Sequence, residues 1–210
     1  MTDDPIVFII DDEPAILESL DDLFRSSGLR TACFRCIPDF LNAKRPEAPA
    51  CLLLDVRLPG QSGLDFHDEM VRLGLDLPVV FMTAHGDVPM SVRAMRNGAV
   101  DFLIKPFREE DLLQAIQGGL ARDRLRRAGA AAVATLKERY DCLTERERQV
   151  LWLVVSGQMN KQIAARLELS VITVKVHRGQ LMRKLGASSV IDLVRKTDIL
   201  SRCLGGDALH

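Results

Sequence analysis

Residues 51–63, CLLLDVRLPGQSG, decide the fold. Leu52, Leu53 and Leu54 form an unbroken apolar run of the kind that makes a strand buried on both faces. The run ends on an acid, Asp55, and Arg57, Pro59, Gly60 and Gly63 follow in a segment rich in turn formers. An ionised carboxylate at the end of an apolar strand is costly to desolvate unless something beside it compensates the charge.

Working outward, further apolar runs stand at 6–10, 31–34 (a weak one), 78–82 and 102–104. Helical patterns lie among them at 14–27, 63–73, 88–97 and 109–120. This alternation, taken as five strands with five helices of which these four show a pattern of their own, is the signature of a parallel sheet covered on both faces. Ligand sites of such sheets lie at the carboxyl ends of the strands. Asp11 and Asp12 follow the first run, Asp55 the third, Thr83 the fourth and Lys105 the fifth.

The chain has 210 residues, 47% hydrophobic and 27% charged, enough for one large or two small globular domains. No run of 18 apolar residues occurs, and the start, MTDDPIVFII, is acidic and lacks the basic region of a signal peptide, so the expected location is cytoplasmic with no membrane partner. Five irregularly spaced cysteines argue against a disulfide framework. Cys33 and Cys36 form a C-x-x-C with no second pair and no histidine nearby, so reduced thiols are expected there rather than a metal or redox pair. The net charge of −1 hides an asymmetry: residues 1–120 carry 11 Lys and Arg against 20 Asp and Glu, whereas 121–140 carry 6 against 2 and 141–210 carry 11 against 7. The tail is the part suited to a polyanion.

From residue 121 the strand pattern stops. Residues 122–140 are rich in charge and alanine and predict a helical linker that could continue the fifth helix, with Gly118, Gly119 and Gly129 as weak points. The expected domains are therefore 1–121, a linker at 122–140, and an all-α unit of four helices at 141–210. In that unit Thr144 and Glu147 have capping-box spacing before Val150, Leu151, Leu153 and Val154, and Gly157 ends the helix. Asn160 is placed to cap a short helix to Leu167, Ser170 a longer one to about Leu185, and a last helix is expected at 188–197.

Clustering at strand ends would bring Asp11, Asp12 and Asp55 together, where they would repel one another unless a divalent cation sat among them. Oxygen-only ligands suit Mg2+, or the similar Mn2+. With a metal bound, Asp55 can stay ionised and attack phosphorus, with the Thr83 hydroxyl and the Lys105 ammonium completing the site for the phosphoryl oxygens.

IIDDEPA, LLLDVRLPGQSGLD, VVFMTAHGDVPMSVRAMRNGAVDF and FLIKPF resemble, over about 120 residues, the receiver domain of two-component response regulators. The resemblance implies a flavodoxin-like, doubly wound, five-stranded parallel sheet. It implies that Asp55 is the phosphoacceptor, that Asp12 binds Mg2+ with Asp11 alongside, and that the backbone carbonyl of Arg57 is another ligand. It further implies that Thr83 and Lys105 contact the phosphoryl group, that the Lys105–Pro106 bond is cis, and that Thr83 and Phe102 form a switch pair. A phosphohydrolase with a strand-end Asp nucleophile is the rival; it needs a second acid where this chain has Arg57. HGDVPMSVRAMRNGAVDF narrows the resemblance to the FixJ-like subgroup, in which phosphorylation promotes dimerisation; Val92 and Arg96, four apart on one helical face, are candidate contacts.

In the tail, T-x-R-E, G-x-x-N-K-x-I-A and T-V-K-x-H resemble the LuxR-type helix-turn-helix DNA-binding domain over nearly all of 141–200. On a helical wheel Val174, Leu181 and Leu185 share one stripe, and Ile172, Lys175, Val176, Gly179 and Arg183 the opposite one, which is open to a major groove. Candidate DNA contacts are Asn160, Lys161, Thr173, Lys175, Val176, Gly179 and Arg183. Lys175 can donate to guanine or phosphate, Val176 can touch a thymine methyl, and Asn160 and Lys161 at a helix N-terminus suit phosphate. His177 and Arg178 flank the buried stripe and are expected in packing or backbone contacts. Val190, Ile191, Leu193 and Val194 either contact a second tail or close the core.

The expectation is a transcriptional response regulator: a phosphoacceptor rather than an enzyme, with a cognate histidine kinase, promoter DNA, a second copy of itself and RNA polymerase as partners. The alternative is a receiver that acts through protein contacts without binding DNA.

Overall fold

The computed structural model describes residues 4–204, and side chains through Arg202. The Cys203 thiol and the end of the tail expected at 205–210 lie outside the described residues. The chain divides after Arg127 into two compact units.

The first unit holds strands β1 (Ile6–Ile10), β2 (Arg30–Phe34), β3 (Ala50–Asp55), β4 (Val79–Thr83) and β5 (Asp101–Ile104). Between them lie helices α1 (Pro14–Ser26), α2 (Ile37–Asn42), α3 (Gly63–Arg72) and α4 (Val88–Arg96), and α5 (Glu109–Asp141) follows. All pairings are parallel, in the order β2-β1-β3-β4-β5. Every residue of β1, β3 and β4 is buried, as expected for strands sandwiched between helices. Alternate side chains feed two cores. Phe8, Leu52, Leu54 and Phe81 pack with α2, α3 and α4; Val7, Ile9, Leu53 and Met82 pack with α1 and α5. Each of the three leucines of 52–54 is fully buried, which contributes about 1.5–3 kcal/mol per side chain.

The periodicity gave α2 no range of its own. Six residues are too few to show a helical repeat, but Ile37 and Phe40 are both buried from this one turn and a half. The other difference is α5, a single helix of 33 residues with Gly118, Gly119 and Gly129 inside it. Gly119 has a steric reason to be glycine, since a Cβ there would lie 2.4 Å from Cys51 Sγ. Residues 122–127 of the stretch expected as linker belong to the first unit: Asp123, fully buried, accepts from the Ala50 amide at 2.9 Å and from Arg126 and Arg127 at 2.7 Å each. Leu136 and Tyr140 lie in the core of the second unit.

The second unit continues with α6 (Glu145–Val155), α7 (Asn160–Leu167), α8 (Val171–Leu185) and α9 (Val190–Leu204) around Val150, Leu151, Ile163, Val174, Leu181, Leu185, Leu193 and Leu200. Thr144 and Glu147 form the expected capping box, and Ser170 Oγ caps α8 by accepting from Thr173 N–H at 3.0 Å. Asn160 does not cap α7. It is the helix's first residue, and its Oδ1 accepts instead from Arg178 Nη1 at 2.9 Å, tying α7 to α8. The last helix extends well past residue 197 because Leu193, Thr197 and Leu200 continue one buried stripe.

Candidate functional site

Parallel register places the chemistry at one edge of the sheet. Asp55 is the last residue of β3, opposite Met82, and Thr83 ends β4 opposite Ile104. Asp11 directly follows β1 and Lys105 directly follows β5. The loop after Asp55 returns tightly: the Gly63 amide donates to Val56 O at 2.9 Å, and a Cβ at Gly63 would lie 2.3 Å from Asp55 O. Only glycine fits there. Ser62 Oγ caps α3 by accepting from Leu64 N–H at 3.3 Å.

Lys105 Nζ donates to Asp11 Oδ2 at 2.7 Å and to Asp55 Oδ1 at 3.1 Å. The Arg57 amide donates to Asp55 Oδ2 at 2.6 Å, and the Glu13 amide to Asp11 Oδ1 at 2.9 Å. Asp11 is fully buried and Asp55 is 6% exposed. Burial pushes the Asp55 pKa above the ordinary carboxylate value, and its bonds to Lys105 and the Arg57 amide only partly offset that. For Lys105 burial opposes the charge, but hydrogen bonding to Asp11 and the charge of Asp55 outweigh it and raise the pKa. The two directions are consistent with an ammonium held more tightly by Asp11, leaving Asp55 under-compensated.

The cation ligands expected from the resemblance are Asp11, Asp12, Asp55 and the Arg57 carbonyl, and two of these carboxylates, Asp11 and Asp55, share Lys105. Among the described residues no three His, Cys, Asp or Glu side chains are grouped to hold a metal. Asp12 is half-buried in the loop after β1, and it is Lys105 that links Asp11 to Asp55. The chain's own cation thus stands between the two carboxylates and offsets part of their repulsion. An under-compensated Asp55 beside all-oxygen donors still has the chemistry of a hard divalent cation site.

Thr83 is fully buried, and its Oγ1 accepts from the His85 amide at 3.3 Å. Phe102 is half-buried on β5 with its ring centroid 6.2 Å from that of Phe81. Sequence reasoning missed Gly86: a Cβ there would lie 2.9 Å from the Phe102 ring, 3.1 Å from Ile104 and 3.2 Å from Thr83. No spacing rule distinguishes that glycine from an ordinary loop glycine. The Lys105–Pro106 bond is cis.

On α4, Val92 is 41% exposed and Arg96 is exposed, so neither packs in the core. Val88 and Met95, also missed, extend the same exposed apolar strip. Arg93 instead turns to α3, pairing with Asp65 at 2.6 Å and with Asp68.

In the tail, Ile172, Lys175, Val176, Gly179 and Arg183 are all exposed on α8 while Val174, Leu181 and Leu185 are buried. Lys161 is exposed. Thr173 is half-buried with its hydroxyl 2.8 Å from Ser170 Oγ, and Asn160 is engaged by Arg178. Glu147, almost fully buried, accepts from Lys184 Nζ at 2.7 Å and from the Thr144 amide at 2.8 Å. Burial opposes its charge, but these bonds win and lower its pKa. They lock the start of α6 to the end of α8.

Comparison with known proteins agrees with this division. Residues 7–117 match the response regulator receiver domain, and residues 141–197 match the luxR family of bacterial regulatory proteins. The chain therefore belongs to the response regulators that join a receiver to a LuxR-type DNA-binding domain. Among its relatives, Nodulation protein W of Bradyrhizobium diazoefficiens is 48% identical over 98% of this chain and 88% of its own. Transcriptional regulatory protein FixJ of Azorhizobium caulinodans is 41% identical over 90% of each chain, placing this chain in the FixJ-like subgroup. The solved structure of the response regulator StyR superposes with a TM-score of 0.82 at 44% identity, covering 93% of this chain and 98% of that one. Among the described residues no helix is long and apolar enough to cross a membrane.

Proposed function

We propose that Asp55 accepts a phosphoryl group from the phosphohistidine of a cognate kinase, and that this acylphosphate controls dimerisation and promoter binding. The observation that carries the reading is a buried, under-compensated Asp55 sharing Lys105 with Asp11 at the strand ends, one strand away from Thr83. Asp55 forms the new O–P bond as the bond from phosphorus to the donor nitrogen breaks. Lys105, already within 3.1 Å of Asp55 Oδ1, is in reach of a phosphoryl oxygen attached there. Mg2+ or Mn2+, held by Asp12, Asp11, Asp55 and the Arg57 carbonyl, would neutralise phosphoryl charge when bound.

Thr83 Oγ1 turns from the His85 amide toward the phosphoryl group, and the Phe102 ring, which already lies against Gly86, follows into the space the hydroxyl leaves. Because Phe102 has no hydroxyl, packing alone sets its preference. The rearrangement biases the α4–β5 surface, where Val92 and Arg96, joined by Val88 and Met95, meet a second receiver. Two tails then reach two half-sites, with Lys175, Val176, Gly179 and Thr173 toward bases and Lys161, Asn160 and Arg183 toward phosphates. Histidine kinase, promoter DNA, a second copy and RNA polymerase are the partners, in the compartment that holds the DNA. The protein acts as a stoichiometric phosphoacceptor with slow self-dephosphorylation.

The test compares oligomeric size and DNA footprinting with and without beryllofluoride and Mg2+. The expected result is a dimer and a salt-sensitive footprint that both require the additive and are both lost in Asp55→Asn. No change in either property on adding beryllofluoride would overturn the reading.

A further inference from the structure

At the amino end of the sheet, opposite Asp55, the first unit contains a cavity of about 380 Å3 between the end of α3, the loop before β4, the α4–β5 turn and α5. This is within the size range of small-molecule sites. Val71, Leu75 and Leu77 give it apolar walls, and His67 and Arg122 line it as well. Neither His67 nor Arg122 has a part in the phosphotransfer chemistry proposed above.

His67 is 5% exposed, with its ring edge-on to Phe81 at 5.4 Å, and its buried Nδ1 has no hydrogen-bond partner among the described residues. Burial lowers its pKa, which keeps the imidazole neutral. A leucine or phenylalanine would fill this place on α3 without an orphaned polar atom, and buried polar atoms are seldom left unpaired. Arg122 Nη1 donates to Gly98 O at 2.9 Å, which pins the guanidinium at the cavity rim with further N–H donors unspent. The other charges lining the cavity are Arg126 and Asp76. Arg126 is engaged by buried Asp123, and Asp76 is exposed to water. Arg122 therefore sets the sign of the site.

We infer that this cavity binds a small organic monoanion: a carboxylate head on Arg122 and His67, with a short apolar body along Val71, Leu75 and Leu77. The site is separate from the phosphorylation pocket, so its failure and the failure of the proposed function are distinguishable.

Hexanoate is the probe, titrated into the full chain and followed by calorimetry and by amide and imidazole NMR, with acetate (no apolar body) and hexan-1-ol (no charge) as controls. Saturable one-to-one hexanoate binding is expected, with shifts centred on 67–78, 97–98 and 122, and much weaker binding of both controls. Arg122→Gln should weaken hexanoate by about tenfold or more, the size of one charge-assisted hydrogen bond. His67→Phe should also weaken it, while Asp55 labelling by acetyl phosphate stays unchanged in both variants. If His67→Phe does not fold, the His67 ring-nitrogen resonance of the wild type supplies the same readout, shifting with hexanoate and not with hexanol. Absence of saturation, equal binding of hexanol, or binding that Arg122→Gln leaves intact would each overturn the inference.

Discussion

Asp55 sits where burial and charge oppose each other, and its behaviour without metal follows from that conflict. Its folded pKa is raised, so folding takes up a proton there. The stabilising effect is fully present below the unfolded pKa of about 3.9 and is lost as pH rises through the folded value. At neutral pH the ionised side chain therefore costs stability, and Asp55→Asn is expected to raise the metal-free melting temperature by a few degrees. Mg2+ should stabilise the wild type and not the variant. A thermal melt of both proteins across pH and Mg2+ checks this; a drop in stability on Asp55→Asn would contradict the charge balance described here. Cys51 is the opposite kind of buried group, with burial pushing its thiol up to about 12, so it should resist alkylation in the folded protein.

At the scale of elements, Gly119 inside α5 and Gly179 inside α8 have different meanings. Gly119 lets α5 approach β3, because a Cβ there would meet Cys51 Sγ at 2.4 Å. Gly119→Ala should destabilise by roughly 1–3 kcal/mol through overpacking, and Cys51→Ala should recover part of the loss in the double variant, measured by urea unfolding. Gly179 meets nothing within 4 Å. Gly179→Ala should stabilise the tail by about 1 kcal/mol, and any loss of DNA affinity would then report close backbone approach to DNA. Asp123 anchors α5 to the start of β3. Burial raises its pKa, but Arg127, the Ala50 amide and Arg126 together bring it below the ordinary value. A lowered pKa contributes stability above the unfolded value of about 3.9 and loses it as pH falls toward the folded one. Asp123→Asn should thus cost about 1–2 kcal/mol at neutral pH, since the arginines stay partly solvated, and the deficit should close at more acid pH.

For the whole molecule, the switch is tested at the apolar strip of α4. Val92→Asp should abolish the beryllofluoride-induced dimer while Asp55 still takes up phosphoryl label, and light scattering alongside labelling separates the two. Loss of labelling together with the dimer would instead indicate damage to the receiver.

The alternation of short apolar runs with helical patterns was enough to predict the doubly wound sheet, because strands buried on both faces leave unbroken runs and strand-end residues share one edge. That places Asp11, Asp55, Thr83 and Lys105 together from order along the chain. The stripes of α8 and the caps at Thr144 and Ser170 were legible because local periodicity and local hydrogen bonding fix them. Asn160 was not, because its partner Arg178 is 18 residues away and on another helix. Three-dimensional contact alone decided that Lys105 bridges Asp11 to Asp55 and that Gly86 faces Phe102. It also decided that Asp123 draws the start of the expected linker into the receiver. These depend on distances between residues remote in sequence, which no local pattern encodes. The odd acid after three leucines was visible in the chain; how far its charge is compensated was settled only by what folding brought beside it.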